Sequence, residues 1–188
     1  MKKDNIIGIV KDSNFNLKVK PLKNPEIRYA SRGIIFNDKG EIAVFNKKNK
    51  NEYKLPGGGI EEKEDKIEAF KREVLEETGC FVEITNYLGI IIEEKSLTNF
   101  KQISYVYVAK VIKNLNKLNL TLKEQEEGAT LLWKDLNEAL NLITNCQREL
   151  AGSKYDNLYK SLFMVERDKK ILEYYLKNKN LEKDIKYK

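Results

Sequence analysis

Between Gly57 and Cys80 the chain reads GGGIEEKEDKIEAFKREVLEETGC, and this stretch holds the residues best suited to chemistry. Glu73, Glu76 and Glu77 are spaced i, i+3, i+4, so on a helix their carboxylates share one turn of one face. Their mutual repulsion costs only roughly 0.2–0.5 kcal/mol per pair on a solvated helix, so an acidic surface face accounts for the pattern without any function. Their position argues for more. They adjoin the apolar stripe of Phe70 and Val74 instead of lying opposite it, and so emerge at the edge of a core, where a cleft can form. Carboxylates joined by main-chain carbonyls make an all-oxygen donor set suited to Mg²⁺ or Mn²⁺. The three glycines after Leu55-Pro56 free the backbone to approach a ligand closely.

Composition removes most rivals. Among 188 residues there is no histidine, which excludes Ser/His/Asp and Cys/His triads and the usual zinc sites. Cys80 and Cys146 form no C-x-x-C pair and read as reduced, buried thiols, in keeping with a cytoplasmic protein. The apolar run Ile6 to Val10 ends at Lys11 and Asp12, too short for a signal peptide or membrane span. Lys and Arg total 35 against 29 Asp and Glu, but only five are arginine (Arg28, Arg32, Arg72, Arg148, Arg167) and the lysines are scattered. That is a poor footprint for nucleic acid.

The elements around the glutamates follow from pattern. Loose alternation over residues 5 to 24, about the turn-like Asp12-Ser13-Asn14, predicts an N-terminal hairpin, so residues 1–24 form an appendage and 25–188 the main domain. Ile27 to Phe36 and Glu41 to Phe45 read as strands joined through Asn37-Asp38-Lys39-Gly40. Ile67, Phe70, Val74 and Leu75 recur at helical spacing within residues 57–79. Val82 to Ile92 and Ile103 to Val111 are a second strand pair, followed by a polar loop at 120–128, a short strand Thr130 to Trp133 and a helix from Leu136 to Cys146. A long helix, 155–177, carries Leu158, Leu162, Val165, Leu172 and Tyr175 on one side, which packs on the domain or forms a homodimer contact. Its lysine-rich end reads as a solvated tail. The order of elements gives an α/β layered fold.

The segment also resembles the Nudix box, G-x5-E-x7-R-E-U-x-E-E-x-G-U with U aliphatic, through Gly58, Glu64, Arg72, Glu73, Val74, Glu76, Glu77 and Gly79. Cys80 stands where an aliphatic residue is usual and packs as a small hydrophobe. The resemblance is to the MutT-like Nudix hydrolases and covers about residues 26–146. It implies an α/β/α sandwich about a mixed sheet and a diphosphatase that cleaves a nucleoside diphosphate linked to another moiety X. It further implies that Glu73, Glu76, Glu77 and a carbonyl near Gly57 hold the metal, and that Arg72 fixes Glu73. Glu64 would brace the loop, and Gly58 and Gly79 would serve backbone geometry. The alternative is a Nudix-fold nucleotide-binding module without turnover, whose usual mark would be a decayed box.

The reaction needs a proton acceptor for the attacking water. Without histidine it is a glutamate or a hydroxide held by a second metal. In the resembled family that glutamate lies in the box or on a later loop, and TLKEQEEG supplies Glu124, Glu126 and Glu127, with Glu126 and Glu127 the leading candidates because they lie nearer the strand ending at Trp133. Tyr105, Tyr107, Trp133 and Phe100 are able to stack on a base, though on strands they read first as core. The expected ligand is a small nucleotide derivative, or a capped RNA end as the one nucleic-acid case. Which X is cleaved lies outside the box.

Overall fold

The computed structural model describes residues 4–149 and 158–179. Its strands are β1 (Ile6–Lys11), β2 (Glu26–Phe36), β3 (Ile42–Lys47), β4 (Glu52–Lys54), β5 (Gly57–Gly59), β6 (Cys80–Lys95), β7 (Phe100–Asn114) and β8 (Ala129–Lys134). Its helices are α1 (Lys66–Thr78), α2 (Leu122–Glu126), α3 (Leu136–Glu149) and α4 (Leu158–Asn178). The strands form one mixed sheet in the order β1-β6-β7-β2-β3-β4, with β5 added on β2 and β8 on β3. β1 with β6 and β2 with β7 run parallel, while β6 with β7 and β3 with β8 run antiparallel.

Side chains alternate across this sheet, so neighbouring residues serve opposite cores. Ile35, Ala43, Tyr107 and Ala109 face α1, where they close over Phe70 and Val74. Ile34, Ile42, Val44, Val106 and Val108 face the other way and are covered by Ala139 and Ile143 of α3 and Val165, Ile171 and Leu172 of α4. The result is the α/β/α sandwich. The apolar stripe of α4 is therefore used within the chain, with Leu162 and Tyr175 packed against the same core and Leu158 left exposed. Residues 155–157 of the predicted helix and the lysine-rich end after 179 lie outside the described residues. Cys80 and Cys146 are buried free thiols. No described helix is long and apolar enough to cross a membrane.

The expected N-terminal hairpin does not form. β1 instead hydrogen-bonds to β6 as the edge of the sheet, and the chain then turns through a 3₁₀ segment, Asp12–Phe15. Buried Asp12 accepts from Ser96 N at 3.0 Å and from Tyr159 Oη at 2.7 Å, and the Phe15 ring meets Phe163 at 5.0 Å. These contacts draw the turn onto β6 and α4, while Leu17 and Val19, the second arm of the expected alternation, stay exposed and lie in no strand. β1 thus belongs to the sheet instead of hanging from it.

Between β2 and β3 the sheet splits. The two strands pair only at Phe36 and Ile42. Since β8 takes the whole of one edge of β3, β4 must pair on the edge that faces β2, and β5 pairs with β2 across the gap. Lys54 to Gly57 cross that seam, where the Gly33 amide donates to Pro56 O at 3.2 Å.

Candidate active site

α1 is built to place its glutamates at the seam. Asp65 caps its N-terminus, accepting from Ile67 N at 2.7 Å in a capping box with Glu68. Gly79 ends it in the left-handed conformation at φ 68°. Phe70 and Val74 anchor the helix to the sheet, which turns the face carrying Glu73, Glu76 and Glu77 toward β5.

Each glutamate has a different environment. Glu77 is buried and accepts from Gly57 N at 2.8 Å and from Lys54 Nζ. Burial pushes its carboxyl up, against the opposing pull of Lys54. Glu73 lies against the backbone of β5: a Cβ added to Gly58 would sit 2.3 Å from the Glu73 carboxylate, so any larger residue there would displace that carboxylate. Glu76 is the most open, its side chain 38% exposed.

Arg72 ties these parts together. It donates to both Glu64 oxygens, at 2.8 and 3.0 Å, to Glu73 Oε1 at 2.9 Å, to Glu76 Oε2 at 3.3 Å and to Gly59 O at 3.0 Å. The Glu64 bonds raise the Arg72 guanidinium further and hold the Glu64 carboxyl below the ordinary range. One guanidinium thus fixes the loop, the helix and β5 to one another.

Among the described residues no three carboxylates or thiols converge on one point. The positive charge between the glutamates is that of Lys54 and Arg72. The three carboxylates of this turn are hard-oxygen donors, the chemistry a divalent cation takes, but they do not converge here and Lys54 Nζ is seated on the most buried of them.

The later loop is placed differently. Glu127 is buried, with Lys47 Nζ at 2.7 Å and Lys50 Nζ at 2.8 Å from its carboxylate. Burial pushes its carboxyl up, but the two lysines outweigh this and hold it low. Glu126 is exposed, and its carbonyl accepts from Asn49 Nδ2 at 2.8 Å. Glu124 caps α2, accepting from Thr121 N at 2.9 Å.

On the opposite face, a cavity of about 730 Å³ lies between the sheet and α4. β2, β6 and β7 form its floor, Lys54 and Gly57–Gly59 its rim, and Lys160, Met164 and Arg167 of α4 its roof. The rim is the strand against which Glu73 and Glu77 rest, so the acidic helix and the cavity meet at the seam. Of the four aromatic residues singled out from the sequence, Phe100 lines this cavity. Tyr107 is buried in the α1-side core, with Tyr105 and Trp133 packed against it.

Sequence reasoning missed the contribution of α4. Arg167 donates to Asp168 at 2.7 and 3.1 Å and to Glu93 at 3.2 Å, and Asp168 accepts from Leu55 N at 2.9 Å. The signal was present: Glu166-Arg167-Asp168 interrupts an otherwise apolar side between Val165 and Ile171, where charge is retained at a cost.

A model of the NUDIX domain matches residues 27–152. An 8-oxo-dGTP diphosphatase of Buchnera aphidicola subsp. Acyrthosiphon pisum (strain APS) is 36% identical over 93 residues, which are 48% of this chain and 65% of that protein, so the chain spans just under two thirds of its length. In fold the chain is similar to the E. coli ORF135 protein (TM-score 0.52, 18% identity, 85% of this chain and 96% of that one). It is similar also to a NUDIX hydrolase from Nitrosomonas europaea (TM-score 0.51, 19% identity, 69% and 93%).

Proposed function

This chain belongs to the NUDIX domain family, and we propose that it hydrolyses a nucleoside diphosphate linked to a further group X, with Mg²⁺ or Mn²⁺ as cofactor. The observation that carries this reading is the meeting of three α1 glutamates and a cation-lined cavity at one strand, Gly57–Gly59. The relative named for 8-oxo-dGTP supports a nucleoside triphosphate as the first substrate to try.

Glu73, Glu76, Glu77 and the Gly57 carbonyl would hold the cation. When bound, it neutralises diphosphate oxygens and acidifies water. Arg72 orients Glu73 and Glu76 and locks β5 to the helix. Lys54 presents its ammonium between Glu77 and the cavity, beside the position where a diphosphate would lie. We place the proton acceptor on α1, at Glu76 or Glu73, and not on the later loop: Glu127 is held low by two lysines and Glu124 is spent on a cap.

The deciding assay is hydrolysis of a panel of nucleotide diphosphate derivatives with each metal, read as phosphate released after phosphatase treatment. Absence of turnover on all of them with both metals would favour a binding module.

Two outcomes bear on the parts. In millimolar Mn²⁺ the protein should melt several degrees higher than in EDTA, because a ligand of the native state at 100 times its Kd adds about 2.7 kcal/mol. Coincident melting curves would reduce the three glutamates to a solvated face. Glu127→Gln should keep kcat within about tenfold of the unsubstituted protein; a fall of roughly 10² to 10⁴ would return the proton acceptor to the loop.

A further inference from the structure

The two faces of the sheet are covered unequally. On one, α3 and α4 close over the core; on the other, α1 begins only at Lys66, whose carbonyl accepts from Ser31 Oγ at 2.7 Å. Beyond that level the α1 side of β1, β6, β7 and β2 carries no helix among the described residues. Paired residues on neighbouring strands share a face, so the registers give what lies there. Ile9, Ile92, Ile103 and Tyr29 form one row across the four strands, and Ile6, Ile90 and Tyr105 form the next. Tyr105 is packed against the core under α1, which fixes the side. The Tyr29 and Tyr105 rings lie nearly parallel, at 18° with centroids 6.5 Å apart.

This half-face is apolar and open. Ile6, Ile9, Ile27 and Tyr29 are each 39–49% exposed, and these four alone leave roughly 300–400 Å² of apolar surface, the size of the largest patch on a typical monomer. Its two margins carry opposite charge. Beside Tyr29 and Tyr105 runs the loop that leads into α1, with Glu61, Glu62, Glu64 and Asp65 against Lys63 and Lys66. Glu64 is held by Arg72 and Asp65 caps α1, while the exposed Glu61 and Glu62 form no side-chain ion pair among the described residues. At the far end, residues 16–25 cross the tips of β6 and β7, where the Lys20 amide donates to Ser96 Oγ at 3.3 Å and the Lys23 amide to Asn99 Oδ1 at 3.0 Å. That segment holds three lysines and no acid, and Lys11 and Lys101 add two more around a single carboxylate, Glu94.

We propose that two copies of the chain pack through this half-face as a two-fold dimer, with the acidic loop of each copy on the lysine margin of the other. The charge arrangement selects that occupant. A two-fold axis lying in the face, across the line that joins the margins, turns acid onto base twice, so the surface is complementary to itself. Single-stranded nucleic acid would instead meet four carboxylates beside the tyrosines on which it would stack. With the half-buried Ile90, Ile103 and Tyr105 and the two margins, the face reaches on the order of 800 Å², the share each partner gives to a standard interface. The tyrosine rings already rest on one another, which lowers the entropy lost when they are covered. The contact stands apart from α4, whose apolar stripe is spent within the chain, and from the reaction proposed at α1.

Sedimentation of the full chain between about 1 and 100 µM should show a monomer–dimer equilibrium with a Kd in the micromolar range or below, weakened by salt. Tyr29→Glu, at an exposed position, should keep its circular dichroism and weaken dimerisation more than tenfold. Charge exchange tests the packing itself. Glu61→Lys with Glu62→Lys turns the acidic margin basic, and Lys18→Glu, Lys20→Glu and Lys23→Glu together turn the basic margin acidic, so each set alone sets like charge on like and should weaken the dimer. An equimolar mixture of the two sets should regain it, because acid again meets base at both margins. If Tyr29→Glu does not fold, the exchange experiment, made wholly at exposed side chains, decides alone. A chain that stays monomeric at about 100 µM, a dimer indifferent to Tyr29→Glu, or a mixture no more dimeric than its parts overturns the proposal.

Discussion

Glu76→Gln should lower kcat by about three orders of magnitude while the protein melts as before. The amide is a poor ligand for a divalent cation and accepts no proton, and such a cation contributes several kcal/mol to the transition state, where each 1.36 kcal/mol is tenfold in rate. The fold should be indifferent because Glu76 is the least buried of the three glutamates and its one ion pair, to Arg72, is long at 3.3 Å. Glu77→Gln serves as the contrast. It removes the counterion of Lys54 in a buried setting and should lose stability together with activity. Parallel kcat and melting measurements on both variants separate ligand from scaffold, and Glu76→Gln with near-normal turnover would remove that residue from the site.

Arg167→Met should be the most destabilising single change in the cavity. Its guanidinium is the shared partner of Glu93 and Asp168, and the three are almost wholly buried. Replacing a well-satisfied ion cluster by apolar groups throughout is often harmless, but removing one member strands the others, at about 3–5 kcal/mol. Acid should reveal the same cluster. Burial pushes the Glu93 carboxyl up, yet Arg167 and Lys95 outweigh it and hold it at about 2. A carboxyl depressed on folding contributes stability that is whole above its unfolded value, near 4.3, and is lost as pH falls toward its folded one. The unsubstituted protein should therefore lose stability between about pH 4.3 and 2, whereas Arg167→Met, already weaker at pH 7 and with Glu93 no longer held so far down, should lose less further stability across that range. Denaturant melts at pH 7 and across that acid range check both halves. Equal stability at pH 7 would mean that Arg167 is no keystone of the cluster.

The acidic helix was legible because its information is local. The capping box, the apolar i, i+3, i+4 positions, the αL glycine and the acidic triplet all lie within fifteen residues, Asp65 to Gly79. The long strands were legible for the same reason, since β-branched runs announce themselves. Two things were not. The strands β4 and β5 are three residues each, and β5 is Gly-Gly-Gly, a sequence with no strand propensity that is recruited only because β2 offers a free edge. The fate of residues 16–25 likewise depended on Asp12 finding Ser96 and Tyr159, far along the chain. The cavity was half visible: Arg28 and Arg32 sit two alternations apart on one strand, which places them on one face, but nothing local pairs that face with Arg167.

The seam between β2 and β3 also acts as a ruler. Within four residues the crossing segment is bonded to both helical layers: Lys54 and Gly57 meet Glu77 of α1, and the amide of Leu55 meets Asp168 of α4. Extended chain advances about 3.3 Å per residue, so adding or deleting one residue here would carry one of these bonds beyond reach whichever helix kept its place. Changes of length belong instead in turns such as Asn37–Gly40, where no such double anchorage exists and the chain is free to grow outward.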